Sequence, residues 1–158
     1  MVSIDEQCKK LSLIKTTAES SGSNFFINAR SDVYLKAHDL PEEEKLRQVI
    51  ERGKAYKDAG ADGFYPMILK KVGHIETVIQ EVSLPINILL IPGVPDFETL
   101  KKIGLARISL GPGFLKIAID AMKNASEKLL HYEGMNQVTE NPVTSDYLNN
   151  LVVKKQNQ

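Results

Sequence analysis

Arg30 and Asp32, standing at the end of the mostly apolar run Phe25-Phe26-Ile27-Asn28-Ala29, are the side chains best placed in this sequence to do chemistry. The run reads as a strand, and in α/β proteins the carboxyl ends of parallel strands are where ligands bind. A guanidinium there can grip a carboxylate or phosphonate with two parallel hydrogen bonds. The same two residues would serve equally well to pair with neighbours at a strand end, so the types alone leave both uses open.

The other chemistry-bearing residues offer less. His38, His74 and His131 are scattered without a metal-ligand spacing, and His74, near a helix start, reads as a surface residue. Glu42-Glu43-Glu44 opens a helix, where negative charge suits the dipole. Consecutive helical side chains diverge, so the cluster reads as a solvated face. Asp62 precedes its strand, at the wrong end for a site. A hard dication wants several oxygen ligands, and Asp32 alone is a poor magnesium site, so no metal ligands are assigned. Ser109 and Gly111-Pro112-Gly113 fit a tight strand-to-helix turn better than a phosphate loop. Arg107 reads as a structural partner for a carboxylate.

Composition narrows the function classes. In 158 residues, 20 Lys and Arg balance 20 Asp and Glu, which leaves no basic field for nucleic acid or anionic lipid. There is no Trp, and sparse aromatics argue against a base-stacking surface. Cys8 is the only cysteine, so an internal disulfide and a multi-cysteine zinc site are excluded; it reads as a buried spacer in a reducing compartment. The amino terminus lacks a signal pattern and no apolar run approaches the ~20 residues that span a bilayer. A soluble cytoplasmic protein is expected.

Periodicity supplies the elements that must position these residues. Ser3 to Ser21 reads as a helix with a Ser3/Glu6 capping box, stopped by Gly22. Asn24 to Ala29 is the first strand, and a loop runs through Asp39-Leu40-Pro41. A helix follows from about Glu42 to Ala59, then a strand over residues 61–66 that Pro66 cuts short. Lys71 to Val82 is helical. Pro85 to Pro92, the most apolar run, reads as a strand covered on both faces. Asp96 caps a short helix, Arg107 to Leu110 is the fourth strand, and a long helix runs from Phe114 to about Tyr132. Gly134 to Pro142 reads as loop and Ser145 to Val153 as a last helix. Strict alternation of strand and helix implies right-handed crossovers and a parallel sheet, as a piece of a barrel or a small open sheet.

Four blocks in order resemble a known family. Ile27-Asn28-Ala29-Arg30-Ser31-Asp32, the stretch from Arg52 through Ala59-Gly60-Ala61-Asp62-Gly63, Pro85-Ile86-Asn87-Ile88-Leu89 and Ala106-Arg107-Ile108-Ser109-Leu110-Gly111-Pro112 are similar to the isocitrate lyase/phosphoenolpyruvate mutase family, with the look of its phosphonomutase and methylisocitrate lyase-like branch. The resemblance covers about residues 7–150. It implies a TIM-type barrel enzyme that uses magnesium to stabilise a pyruvate enolate while a C–C or C–P bond beside a 2-oxo acid is made or broken. Arg30 falls where the family's substrate-binding arginine sits, after the fifth barrel strand. Asn87 falls in the seventh-strand block at a position that often faces the ligand. Where some members carry a histidine after the sixth strand, this chain has Phe64-Tyr65-Pro66-Met67.

The family's magnesium carboxylates and catalytic loop lie on strands that would precede Met1. The resemblance therefore implies a parallel (β/α) half-barrel, about four βα units matching strands five to eight, plus a C-terminal helix. Residues 1–153 would form one partial-barrel domain and 154–158 a frayed tail. Arg30 and Asn87 are the expected substrate-binding residues, for a small carboxylate or phosphonate. Magnesium is implied for the full-length family and not for this chain alone. Three readings stay open: an inactive carboxyl-terminal half, a half-enzyme completed by another chain, and a non-catalytic di-acid binder or oligomer partner. Val33, Ile88, Leu90 and Ile108 are candidates for an uncovered inner face that would drive self-association. Residues 144–153 are expected to pack on a partner subunit.

Overall fold

The computed structural model describes residues 1–152. They fall into two compact units, Met1–Gly111 and the residues from Pro112 onward. The expected tail 154–158, and the last residue of the expected final helix, Val153, lie outside the described residues.

The first unit opens with helix α1 (Ile4–Ser20), whose Ser3 hydroxyl accepts the Glu6 N–H at 3.2 Å. Strand β1 (Asn28–Ser31) follows, then a one-turn helix α2 (Val33–Lys36) where the sequence suggests only loop. Helix α3 (Glu42–Asp58), strand β2 (Gly63–Pro66), helix α4 (Val72–Val82) and strand β3 (Asn87–Leu89) come next. Helix α5 (Phe97–Lys102), capped by Asp96 on the Thr99 N–H at 2.8 Å, leads to strand β4 (Arg107–Ser109).

All strand pairing is parallel, β1 with β2 and β3 with β4. Among the described residues a single parallel bridge, Phe64 opposite Ile86, links the two pairs, so the strands lie in chain order. Parallel neighbours need long crossovers, and helices α3, α4 and α5 supply them. Two strands are shorter than their apolar runs. The first starts at Asn28 because its partner starts at Gly63; Phe25 and Phe26 remain 61% exposed. The third stops at Leu89 because β4 offers only three partners.

Alternation decides which strand residues reach the core. Ala29, Phe64, Ile86 and Ile88 point toward the helices and are buried, as is Val33. They meet Leu11 of α1, Val49 and Tyr56 of α3, and Ile75, Val78 and Val82 of α4. Val33 and Ile88, expected on an uncovered inner face, are therefore core residues with no exposure. Leu90 is exposed and Ile108 packs partly against the core.

In the second unit, α6 (Gly113–Leu130) has no buried side chain. A short helix α7 (Met135–Thr139) stands where loop is expected, started by Gly134 in the left-handed region at φ 75°. Helix α8 (Ser145–Val152) closes the described chain. Among the described residues no helix is long and apolar enough to cross a membrane.

Asp62 has a structural role at the amino end of the sheet. Its carboxylate accepts the Ile27 N–H at 2.9 Å and the Lys15 ammonium at 2.9 Å, tying α1, β1 and β2 together. The Ile27 hydrogen bond first, and Lys15 with it, hold its carboxyl below the usual range. A depressed folded pKa gives stability that is full above the unfolded value of about 4 and lost as pH falls through the folded value. Asp62→Asn should therefore be less stable than wild type at pH 7, with the gap closing as pH falls below the unfolded value and through the folded one. Urea unfolding across that range measures it, and a gap independent of pH would contradict the charge-based account.

Gly53 marks the close approach of α3 to α4. A Cβ there would lie 2.6 and 2.8 Å from the two methyls of Val82 and 3.1 Å from Phe64. Both neighbours are fully buried and β-branched or aromatic, so neither yields easily. Ala gains about 1 kcal/mol over Gly in helix propensity. Overpacking of this kind costs roughly 1–3 kcal/mol, so it should win. Gly53→Ala is expected to lower stability by about 1 kcal/mol in urea unfolding.

Candidate functional site

The carboxyl end of β1 delivers Arg30, Ser31 and Asp32 into a cleft of about 250 Å³, lined also by Lys36 of α2, Arg52 and Tyr56 of α3, and the amino-terminal Val2. The Arg30 Nε–H donates to Asp32 Oδ1 at 2.6 Å. Asp32 also meets the Lys36 ammonium at 3.6 Å. Only one edge of the guanidinium is used by this pair. With the Arg30 side chain 50% exposed, its terminal nitrogens remain for an anion from outside. The neighbour pairing and the anion grip left open by sequence are thus compatible.

Charge in the cleft is unbalanced. Arg30, Lys36 and Arg52 face one carboxylate, Asp32. Arg52 is held by donating to the Val2 carbonyl at 3.1 Å and the Tyr56 hydroxyl at 2.9 Å, neither of which neutralises it. Ser31 adds a polar atom without a partner. The residue is 3% exposed, and its Oγ makes no hydrogen bond among the described residues. Sequence reading did not single out Ser31, Lys36 or Arg52 for this cleft. Arg52 lies 22 positions from Arg30, and only the β1–α3 packing brings them together.

Asn87 lies elsewhere. Arg30 is level with Tyr65 on β2, the Phe64–Ile86 bridge sets Tyr65 beside Asn87, and Asn87 is level with Arg107. Residues at one level of a parallel sheet share a face, so Arg30, Tyr65, Asn87 and Arg107 form a row on the side away from the helices. Arg30 and Asn87 are two strands apart, roughly 10 Å by strand spacing. They line different cavities: Asn87 faces one of about 290 Å³ with Phe26, Asn28, Pro85, Ala106 and Arg107. Asn87 is 2% exposed, and its carbonyl oxygen accepts the Ser109 hydroxyl at 3.0 Å. Arg107, expected to pair with a carboxylate, has no such partner among the described residues and is exposed.

One further reading changes. His74, expected at the surface, keeps only 14% of its side chain exposed, and its Nδ1 lies 2.8 Å from the Tyr34 hydroxyl. Glu42 and Glu43 keep the solvated character expected of them, at 41% and 85% exposed, and their carboxylates also reach the next helix. Glu42 meets Lys71 at 3.1 Å, and Glu43 lies 3.6 Å from His74 Nε2. Burial first, then the Glu42 and Glu43 charges, push the Tyr34 phenol far above its ordinary value. No signal at fixed spacing joins residues 40 apart in sequence. Cys8 is half-buried, its thiol donating to the Ala55 carbonyl at 3.4 Å and pushed up first by burial.

The donors do not fit magnesium. A hard dication needs about six oxygen ligands. Asp32, the carboxylate of the cleft, is already shared by Arg30 and Lys36. Among the described residues no three His, Cys, Asp or Glu side chains converge. The arrangement can bind and orient an anion.

Known proteins resemble this chain in sequence and in fold. The family model for phosphoenolpyruvate phosphomutase matches residues 1–130. A candidate phosphonomutase of Burkholderia cenocepacia superposes with a TM-score of 0.76 at 29% identity, covering 81% of this chain and 52% of its own. A candidate lyase/mutase of the same organism gives 0.80 at 24%, covering 98% and 54%. A 2,3-dimethylmalate lyase gives 0.73 at 23%, covering 94% and 48%; at such identities the likeness is one of fold. An uncharacterized Mycobacterium tuberculosis protein is 31% identical over 86 residues, 54% of this chain and 31% of that protein. The chain spans about half the length of these solved relatives.

The unpartnered Ser31 hydroxyl is the most direct energetic statement about the cleft. A buried hydroxyl without a hydrogen bond costs about 1–3 kcal/mol. In the chain alone, Ser31→Ala should therefore leave stability unchanged or raise it by about 1 kcal/mol in urea unfolding. A loss of more than about 1 kcal/mol would mean that the hydroxyl is satisfied in solution.

Proposed function

The chain belongs to the phosphoenolpyruvate mutase/isocitrate lyase superfamily, and we propose that it supplies the substrate-gripping half of such an enzyme. In this reading the four βα units are the fifth to eighth of a (β/α)8 barrel. The reaction of the whole assembly makes or breaks a C–C or C–P bond beside a 2-oxo acid. Arg30 holds the substrate carboxylate or phosphonate, with Asn87 as a hydrogen-bonding companion farther along the same face. The observation that carries the reading is the Arg30 guanidinium, fixed through Nε by Asp32 and free at its outer nitrogens in a cleft with excess positive charge.

An arginine held this way orients an anion but does not by itself carry the charge of an enolate. That stabilisation is assigned to the strands that these residues do not include, contributed by another polypeptide segment or chain. Turnover by residues 1–158 alone is not expected. Backbone geometry supports a partner at this edge. Ile27 and Ser31 direct their carbonyls to β2, accepting from Gly63 and Met67 at 3.1 and 2.9 Å. By alternation, the N–H and C=O groups of Asn28 and Arg30 face the other way, toward the open edge of β1. A complementing chain or a second copy in an oligomer would cover that edge. A cytoplasmic setting goes with the same reading and with the free Cys8 thiol.

Titration calorimetry with oxalate, a planar di-acid of the size of pyruvate enolate, tests the proposal. Weak binding that does not depend on magnesium is expected, and Arg30→Ala should weaken it roughly ten- to a hundredfold, the worth of a charge-assisted pair. Tight magnesium-dependent binding by this chain alone would overturn the division of labour. Turnover of a 2-oxo acid adduct that appears only on mixing with the front half of a relative would support it.

A further inference from the structure

Three helices meet at one hydrogen bond and one longer charge contact that the cleft itself does not use. The Tyr34 hydroxyl on α2 lies 2.8 Å from His74 Nδ1 on α4, and His74 Nε2 lies 3.6 Å from Glu43 on α3. The two rings stand 6.3 Å apart and tilted by 51°. A carboxylate near Nε2 favours the proton there, which leaves Nδ1 to accept from the phenol. The phenol remains protonated at any ordinary pH, because burial and the two glutamates oppose its ionisation.

Helix α2 is a single turn, too short to hold its place by its own hydrogen bonds. It nevertheless brings Lys36, and Asp32 at its cap, to the anion cleft. Its amino-terminal cap is Asp32, whose backbone carbonyl accepts from Leu35 and Lys36 at 3.0 and 2.9 Å. The Asp32 side chain holds Arg30 and meets Lys36, one turn along. Two kinds of contact can fix such a turn. Val33 is fully buried in the core, which sets its depth. Tyr34 and Ala37 pack partly against the same core; apolar contact of this kind is non-directional, and the Tyr34–His74 bond adds the direction that it lacks.

We propose that His74, through Tyr34, is the positioning residue of the anion grip, fixing the α2 turn so that Asp32 presents the Arg30 guanidinium to the cleft. In naming Arg30 as the group positioned, the inference rests on the anion-grip reading above. The role differs from general stability in what it predicts. Loss of the bond moves Arg30, which neither Tyr34 nor His74 touches.

The test uses the full chain in four forms: wild type, Tyr34→Phe, His74→Leu and His74→Asn, whose amide can replace Nδ1. Each is read in three ways: urea unfolding, the Arg30 Nε–H resonance assigned through Arg30→Lys, and oxalate affinity. In Tyr34→Phe and His74→Leu, the Arg30 Nε–H signal should move toward that of a free guanidinium and its solvent exchange should speed up. Oxalate binding should weaken roughly three- to tenfold, the scale of one hydrogen bond. His74→Asn should restore both readouts to within about twofold. An Arg30 signal unmoved in Tyr34→Phe and His74→Leu would overturn the inference, as would failure of His74→Asn to restore it in a folded protein. If wild type does not bind oxalate through Arg30, the anion-grip reading falls, and the resonance comparison still decides whether His74 positions Arg30.

Discussion

Burial of the Phe64 ring couples the sheet to its helical cover, and the rest of the first unit is arranged around it. Phe64 pairs with Ala29 in register and bridges to Ile86, so one residue touches both strand pairs. Its ring meets Tyr56 of α3 edge-on, with centroids 6.1 Å apart and planes at 69°. Its edge also lies where a side chain at Gly53 would stand, at the place where α3 comes close to Val82 of α4. A fully buried aromatic adds a specific geometry to its hydrophobic contribution. The position of β2 relative to both helices follows from that geometry. The heights of β1 and β3 follow from β2.

The cleft inherits its character from this arrangement. Alternation sends Ala29 and Ser31 toward the helices and Arg30 to the opposite face. Ser31 reaches the end of the sheet, where the apolar layer gives way to Arg52 and Tyr56, and its hydroxyl is left without a partner. Arg52 is fixed by two neutral oxygens, so it keeps its charge in the cleft. Positive excess arises from packing in a chain whose net charge is zero. Ion pairs elsewhere, such as Lys54 with Glu81 at 2.6 Å, sit on exposed surface and contribute little.

The carboxyl ends of β1 and β2 are cross-braced. Glu42 joins Lys45 and Lys71, and Glu43 approaches His74, so the first turn of α3 holds the start of α4. Tyr34 extends that brace to α2. The loops that carry the candidate site thus rest on polar contacts between successive βα units, while the strands rest on apolar ones. Loops of this kind are positioned by a rigid scaffold and carry function.

What the sequence by itself determined was local, although the short helices α2 and α7 stand where it suggests loop. Helix periods, the Ser3 and Asp96 caps and the stop at Gly22 are written in residues close in sequence, and the order of the elements so read implies a parallel sheet. Arg30 at a strand end was legible for the same reason, and four ordered blocks made the family resemblance legible as well. Tertiary structure alone decided the rest, because each remaining feature depends on partners distant in the chain. Strand ends were set by the length of the neighbouring strand, so Pro85 to Pro92 contributes only Asn87–Leu89 to the sheet. Val33 and Ile88 became core residues once helices covered one face of the sheet. Arg30 and Asn87, alike as ligand candidates in sequence, were placed in separate cavities by the register of four strands. The pairing of Tyr34 with His74 required α2 and α4 to meet, and no pattern in a linear chain encodes that contact.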